Sequence, residues 1–179
     1  MKVFLDACVL YPTVLREVLL GLAAEGLYQP LWSPRVLEEW ARATRKLGAE
    51  AEVQARGEIA LLKARWPKAE RQPGVATEAR LVLPDANDVH VLAAASDGGA
   101  DLLVTLNLRD FPKQDVRAEG MDVCAPDGFA MDLWLAHPTP VEAAVSQVHA
   151  TARQMAGEDL PLRGLLKRAK LPRLGKALA

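Results

Sequence analysis

The chain of 179 residues holds only two cysteines, Cys8 and Cys124, far apart and without the spacing of a metal-ligand pair. Neither a disulfide framework nor a cysteine metal site is expected, and this usage suits a reducing cytoplasm. No apolar run approaches the roughly 18 residues of a spanning helix. The opening residues, MKVFLDACVL, place an acid inside their apolar run, which argues against a secretory leader. No G-x-G-x-x-G follows the first strand signal, so a dinucleotide enzyme fits poorly. No Ser-His-Asp or Cys-His pattern stands out, and there is neither an internal repeat nor a low-complexity tract. The expectation is a cytoplasmic protein without membrane attachment.

What remains is ordinary globular material. The chain is 50% apolar and 25% charged, long enough for one good core with a small appendage. Its formal net charge of −1 hides an asymmetry: residues 163–179 carry six basic groups and no acid. Upstream, all 23 acids face 16 basic residues, a net charge of −7. Such a tail either touches nucleic acid or an acidic partner, or is the solvated face of a small helix.

The patterning alternates. Val3-Phe4-Leu5 reads as a short buried strand ending at Asp6. Thr13 to Glu25 has helical periodicity through Val14, Val18, Leu19 and Leu22, with Gly26 as the stop. Leu27 to Trp32 suggests a second strand. Ser33-Pro34 then opens a helix carrying Val36, Leu37, Trp40, Ala41, Thr44 and Leu47 inward. Residues 49–66 form a more polar helix, and residues 67–80 read as a loop. A helix over about Ala86 to Ser96 stops at Gly98-Gly99. Leu102 to Thr105 is the clearest strand, and Asp122-Val123-Cys124 the last. Strands alternating with helices imply a parallel sheet with helices on both faces. Pro126 marks a boundary, beyond which helices at about 127–136, 140–156, 161–170 and 172–178 should form an extension packed on the main domain.

Ligands of an open parallel sheet bind beyond the carboxyl ends of its strands, and acids collect there. Asp6 follows the first strand, and Asp110 lies shortly after the Leu102–Thr105 strand. Asp88 starts the helix that feeds that strand, and Glu38 and Glu39 lie early in the helix after the second. Carboxylates about 4 Å apart repel by roughly 4 kcal/mol at an effective dielectric near 20. A cluster of them is stable when some protonate or when cations sit between them. Oxygen-only ligands suit Mg²⁺ or Mn²⁺, and such an ion activates water and stabilises charge on a phosphoryl group. Metal-assisted phosphodiester hydrolysis is the chemistry this residue set supports best. Glu38 and Glu39 lie equally far from the apolar face of their helix, so periodicity does not choose between them.

Four segments together resemble the PIN-domain ribonucleases, the fold of VapC-type toxins of bacterial toxin–antitoxin pairs: DACVL at 6–10, SPRVLEEW at 33–40, PDANDVHVLAAA at 84–95 and LVTLNLRDFP at 103–112. The tail, with PDGF at 126–129 and LP at 171–172, is similar to the helical extension of one PIN subfamily. The resemblance implies a three-layer α/β/α domain over residues 1–126 with a central, mostly parallel sheet, followed by a helical extension over 127–179. It implies that Asp6, Glu39, Asp88 and Asp110 form the acidic quartet that holds Mg²⁺ or Mn²⁺, with Asp6 central and Asp88 second. Thr105 and Asn107 would steady the site or the scissile phosphate, and Asp85 would be an accessory acid that also caps the helix. It further implies endonucleolytic cleavage of RNA, a homodimer and a cognate antitoxin.

Three positions depart from the family pattern. Cys8 stands where many PIN domains carry Asn, implying a weakened or missing hydrogen bond to Asp6. Asn87 replaces an extra acid of the subfamily, and the neutral Asn107 leaves the fourth carboxylate to Asp110. Arg16, Arg35 and Arg109 are candidate contacts to RNA phosphates. His90 reads as a surface or packed helix residue rather than a ligand, and Trp40, Trp66 and Trp134 as core. The competing reading is a catalytically silent PIN-fold module that binds RNA or protein. A phospho-acceptor receiver domain fits less well, lacking the second acid beside Asp6 and a late lysine.

Overall fold

The computed structural model describes residues 1–157 and 159–179. Four short strands, β1 (Lys2–Leu5), β2 (Gln29–Leu31), β3 (Leu102–Val104) and β4 (Asp122–Cys124), form one parallel sheet in the order β2-β1-β3-β4. Val3, Phe4 and Leu5 are fully buried, as befits a parallel strand covered on both faces. Leu5 pairs with Val104, so the residues that follow, Asp6 and Thr105, leave the sheet side by side.

The helices of the main domain are α1 (Ala7–Leu10), α2 (Thr13–Ala24), α3 (Pro34–Ala43), α4 (Ala49–Arg65), α5 (Val75–Arg80), α6 (Val89–Asp97) and α7 (Lys113–Ala118). α2 buries Leu15, Val18, Leu19 and Leu22, and the chain turns out of it at Gly26, whose φ of +77° favours glycine. α3 starts as its sequence directs: the Ser33 side chain accepts from Val36 N–H at 3.1 Å and Pro34 occupies the first turn. The β1–β2 crossover carries α2, whereas the β2–β3 and β3–β4 crossovers, ending in α6 and α7, run the other way along the sheet. Right-handed crossovers place these on opposite faces. The strand order therefore diverges between β1 and β3, and that divergence opens a crevice at their carboxyl ends.

The segment expected as a loop at 67–80 is more ordered than its composition suggests. Trp32 N–H donates to Ala69 O at 3.1 Å and Arg71 N–H to Trp32 O at 2.8 Å, a single bridge along the β2 edge. Residues 75–80 then form α5, although six of the eight residues before it, 67–74, are Pro, Gly or charged. Tertiary ties hold it: Asp97 accepts from Gly74 N–H at 2.6 Å and from the Thr77 hydroxyl at 2.8 Å, and Arg80 grips Glu119 with both guanidinium nitrogens at 2.6 Å.

The C-terminal region is helical, with α8 (Pro126–Ala136), α9 (Pro138–Ala156), α10 (Leu162–Arg168) and α11 (Pro172–Ala177). α9 and α10 pack against α2. At the α2–α9 crossing a Cβ on Gly21 would come within 3.3 Å of the Ala144 Cβ, so glycine permits the close approach. Phe129 meets Tyr28 edge-on at 5.1 Å between ring centroids. The buried Asp127 carboxylate accepts from Arg173 N–H at 3.0 Å and Leu174 N–H at 3.1 Å, fastening α11 to α8. Val141, Leu166, Leu171 and Leu174 join the single hydrophobic core. Among the described residues no helix is long and apolar enough to cross a membrane.

Candidate active site

Asp6 is set at the crevice by two backbone requirements at once. Its N–H donates to Val104 O at 3.2 Å, extending the β1–β3 ladder, and its carboxylate caps α1 by accepting from Ala7 N–H at 2.6 Å. The other carboxylate oxygen, Oδ2, accepts from the Thr105 hydroxyl at 2.7 Å and from the Cys8 thiol at 3.1 Å. Cys8 also touches Thr105 Oγ1 at 3.3 Å and accepts from Leu106 N–H at 3.2 Å. The hydrogen bond expected to be weakened or missing at Cys8 is therefore made by sulfur. Burial pushes the thiol up to about 12, with the Asp6 charge adding to the effect, so it stays protonated and able to donate.

Asp6 is buried, and that burial raises its pKa above the usual carboxylate range despite these three donors; the charge of Glu39 raises it further. Asp88 ends a single 3₁₀ turn (Ala86–Asp88) and leads into α6. Its pKa is pushed up to about 6, first by burial and then by the charges of Asp6, Asp85 and Asp110. Asp6 thus feels the charge of Glu39, and Asp88 those of Asp6 and Asp110. Asp85, next to it, accepts from Asn87 N–H at 2.9 Å and acts as the cap of that turn.

The two glutamates of α3 separate clearly. Glu38 is held by Arg42 at 2.8 Å and by Arg56 at 2.9 and 3.1 Å, and these partners lower its pKa to about 2. Glu39 faces the other way, with its Oε1 2.8 Å from His90 Nε2 and 3.5 Å from Arg35 Nε. Asp110 closes a 3₁₀ turn (Leu108–Asp110) beyond β3 and is largely buried. Asn107 contributes its backbone N–H to Thr105 Oγ1 at 3.0 Å, which fixes that hydroxyl from the side away from Asp6.

The candidate arginines divide. Arg16 is buried, donating to Leu10 O at 2.8 Å and Glu58 Oε2 at 2.6 Å, with its guanidinium 4.3 Å from the Trp40 ring centroid. That corrects its reading as a phosphate contact: the side chain is buried and tied to the α1–α2 turn, whose carbonyls need a donor, and to Glu58. It borders a groove of about 430 Å³ between α2, α4 and α9 that includes none of the four acids. Arg35 is half-exposed and shared between Glu39 and Glu78, both at 3.5 Å, whereas the Arg109 side chain is 92% exposed. Trp40 is buried and Trp66 and Trp134 are partly buried against the core, as their helical spacing implies.

Sequence reasoning set His90 aside, yet it is buried beside Glu39. The signal was its place in VHVLAAA, where its neighbours at helical spacing are all apolar. Oxygen donors alone suit a hard divalent cation, and the neighbouring charges that add to the effect of burial on Asp88 are what such a cation relieves. The donor set fits Mg²⁺ or Mn²⁺ on those grounds. As the side chains stand, no three His, Cys, Asp or Glu groups among the described residues are gathered closely enough to ligate one ion together.

The fold and site define a parallel α/β protein with one buried acid, Asp6, at the switch point of its sheet and Asp88 within reach of its charge. The match that narrows it is to the family model of the PIN domain over residues 2–109, more than half of the chain. The chain belongs to the PIN-domain family, whose members are usually nucleases. The matched span includes Asp6, Glu39 and Asp88 and ends one residue before Asp110. No curated protein and no solved structure matches the chain significantly.

Proposed function

We propose that the chain is a metal-dependent endoribonuclease that hydrolyses RNA phosphodiester bonds, and that it is the toxin of a toxin–antitoxin pair. What supports the catalytic part is that the charge of Glu39 reaches Asp6, and those of Asp6 and Asp110 reach Asp88, beside the carboxyl ends of β1 and β3. Mg²⁺ or Mn²⁺, when bound, supplies an activated water and charge stabilisation at the phosphate.

The chain's own residues do the positioning. Thr105 and Cys8 hold Asp6 Oδ2, and Ala7 N–H holds Oδ1. Asp6 and Asp88 would be the principal ligands, with Glu39 and Asp110 completing the set directly or through water. Asn107 steadies Thr105, and the exposed Arg109 would meet a backbone phosphate. The toxin role, the cognate antitoxin and the homodimer rest on the four sequence segments shared with VapC-type proteins.

Calorimetric titration with Mn²⁺ tests the reading. Wild type is expected to bind, and Asp6→Asn to bind far more weakly while remaining folded. Absence of Mn²⁺ binding by wild type, with RNA still captured through the basic tail, supports the silent binding module instead.

A further inference from the structure

His90 lies two residues beyond Asp88 and carries a polar ring among the buried apolar residues of α6. The residue is 2% exposed, and Val91 to Ala95 after it are all fully buried. Its Nε2 is 2.8 Å from Glu39 Oε1, out of line for a full hydrogen bond, and its Nδ1 meets no polar partner. A proton on Nδ1 would be stripped of water with nothing in exchange, whereas one on Nε2 faces a carboxylate. Nε2 is thus the ring nitrogen positioned to meet Glu39. Glu39 itself is 39% exposed and is also drawn outward by Arg35, whose own side chain is 52% exposed. An exposed i,i+4 pair of that kind orders a carboxylate weakly. The imidazole, locked by packing, lies closer to that carboxylate than the Arg35 guanidinium does, at 2.8 Å against 3.5 Å.

We infer that His90 is a positioning residue that holds the Glu39 carboxylate on the Asp6 side of the crevice against the outward pull of Arg35. The inference deepens the proposed function, because it rests on Glu39 being part of the metal-holding set. Partners that orient metal-bound groups typically change affinity by about 10–100-fold when removed.

The test compares His90→Gln, which keeps an N–H donor of similar reach, with His90→Leu, which fills the space without one. His90→Leu is expected to weaken Mn²⁺ binding at least about tenfold, His90→Gln to recover most of that loss, and His90→Leu to add nothing in a Glu39→Gln background. Should the leucine variant not fold, His90→Asn, polar but too short to reach Glu39, is expected to show the same loss. Wild-type affinity in His90→Leu or His90→Asn, or an undiminished further loss in the Glu39→Gln background, overturns the inference. The ring ¹⁵N shifts of the metal-free protein separate the two levels. They are expected to respond to Glu39→Gln and not to Asp110→Asn. A ring indifferent to Glu39 overturns the positioning role, whereas a responsive ring in a protein that binds no Mn²⁺ overturns the metal reading and leaves the His90–Glu39 arrangement standing.

Discussion

The Thr105 hydroxyl donates to Asp6 Oδ2 at 2.7 Å, joining the residues that leave two adjacent parallel strands. One hydrogen bond thereby couples the divergence of the sheet to the orientation of its most buried acid. Thr105→Val keeps shape and burial but removes the donor. A hydrogen bond to an ionised group contributes about 1.5–3 kcal/mol, so a loss of that size in chemical denaturation at neutral pH is expected. An unchanged midpoint would mean that Cys8 and Ala7 N–H suffice for Asp6.

Asp85 and Asp88 stand three residues apart and do different work. Asp85→Ala removes the cap on Asn87 N–H and is expected to cost about 1 kcal/mol while cleavage persists. Asp88→Asn is expected to spare the fold and abolish cleavage. The opposite pairing of effects in melting and cleavage assays would exchange the two roles.

The pH dependence of the metal-free protein follows from Asp88. Its folded pKa is raised from 3.8 to about 6, so between those values the native state binds more protons than the unfolded chain. Stability contributed by this group therefore falls as pH rises from about 4 to about 6. Asp88→Asn removes that slope: its melting temperature should match wild type below pH 4 and exceed it above pH 6. Parallel melting profiles for the two proteins would contradict the burial and charge assigned to Asp88.

Arg16 and Arg109 make a paired comparison. Arg16→Ala leaves Glu58 and two carbonyls without their donor and should cost about 3 kcal/mol, the scale of breaking a buried pair. Arg109→Ala should leave stability within about 0.5 kcal/mol and reduce the salt dependence of RNA binding by about one ion. A stable Arg16→Ala variant with weakened RNA binding would restore Arg16 as a phosphate contact.

Much of this was legible in the sequence because it is local. Val3-Phe4-Leu5 had to be a buried strand, Ser33-Pro34 had to start a helix, and the alternation of elements required a parallel sheet. The approach of Asp6, Asp88 and Asp110 followed from that topology. What the sequence hid depends on tertiary partners. α5 forms in a Pro- and Gly-containing stretch because Asp97 and Glu119 anchor its ends. Arg16 reads as a surface cation until the Leu10 and Tyr11 carbonyls and Glu58 are seen around it. Glu38 and Glu39 are equivalent on a helical wheel, and their tertiary partners, Arg56 beside Glu38 and His90 beside Glu39, distinguish them. Cys8 offered no hint that its sulfur would take the place of an amide.

The central claim is that the acids at the β1–β3 crevice perform phosphodiester hydrolysis through a divalent cation. The most direct measurement is cleavage of a defined RNA with and without Mn²⁺ by wild type, Asp6→Asn and Asp88→Asn, each shown to be folded. Mn²⁺-dependent cleavage by wild type, reduced in both variants beyond the roughly 100-fold reached by residues outside the ligand set, is the predicted result. Undiminished Mn²⁺-dependent cleavage in both variants would contradict the account.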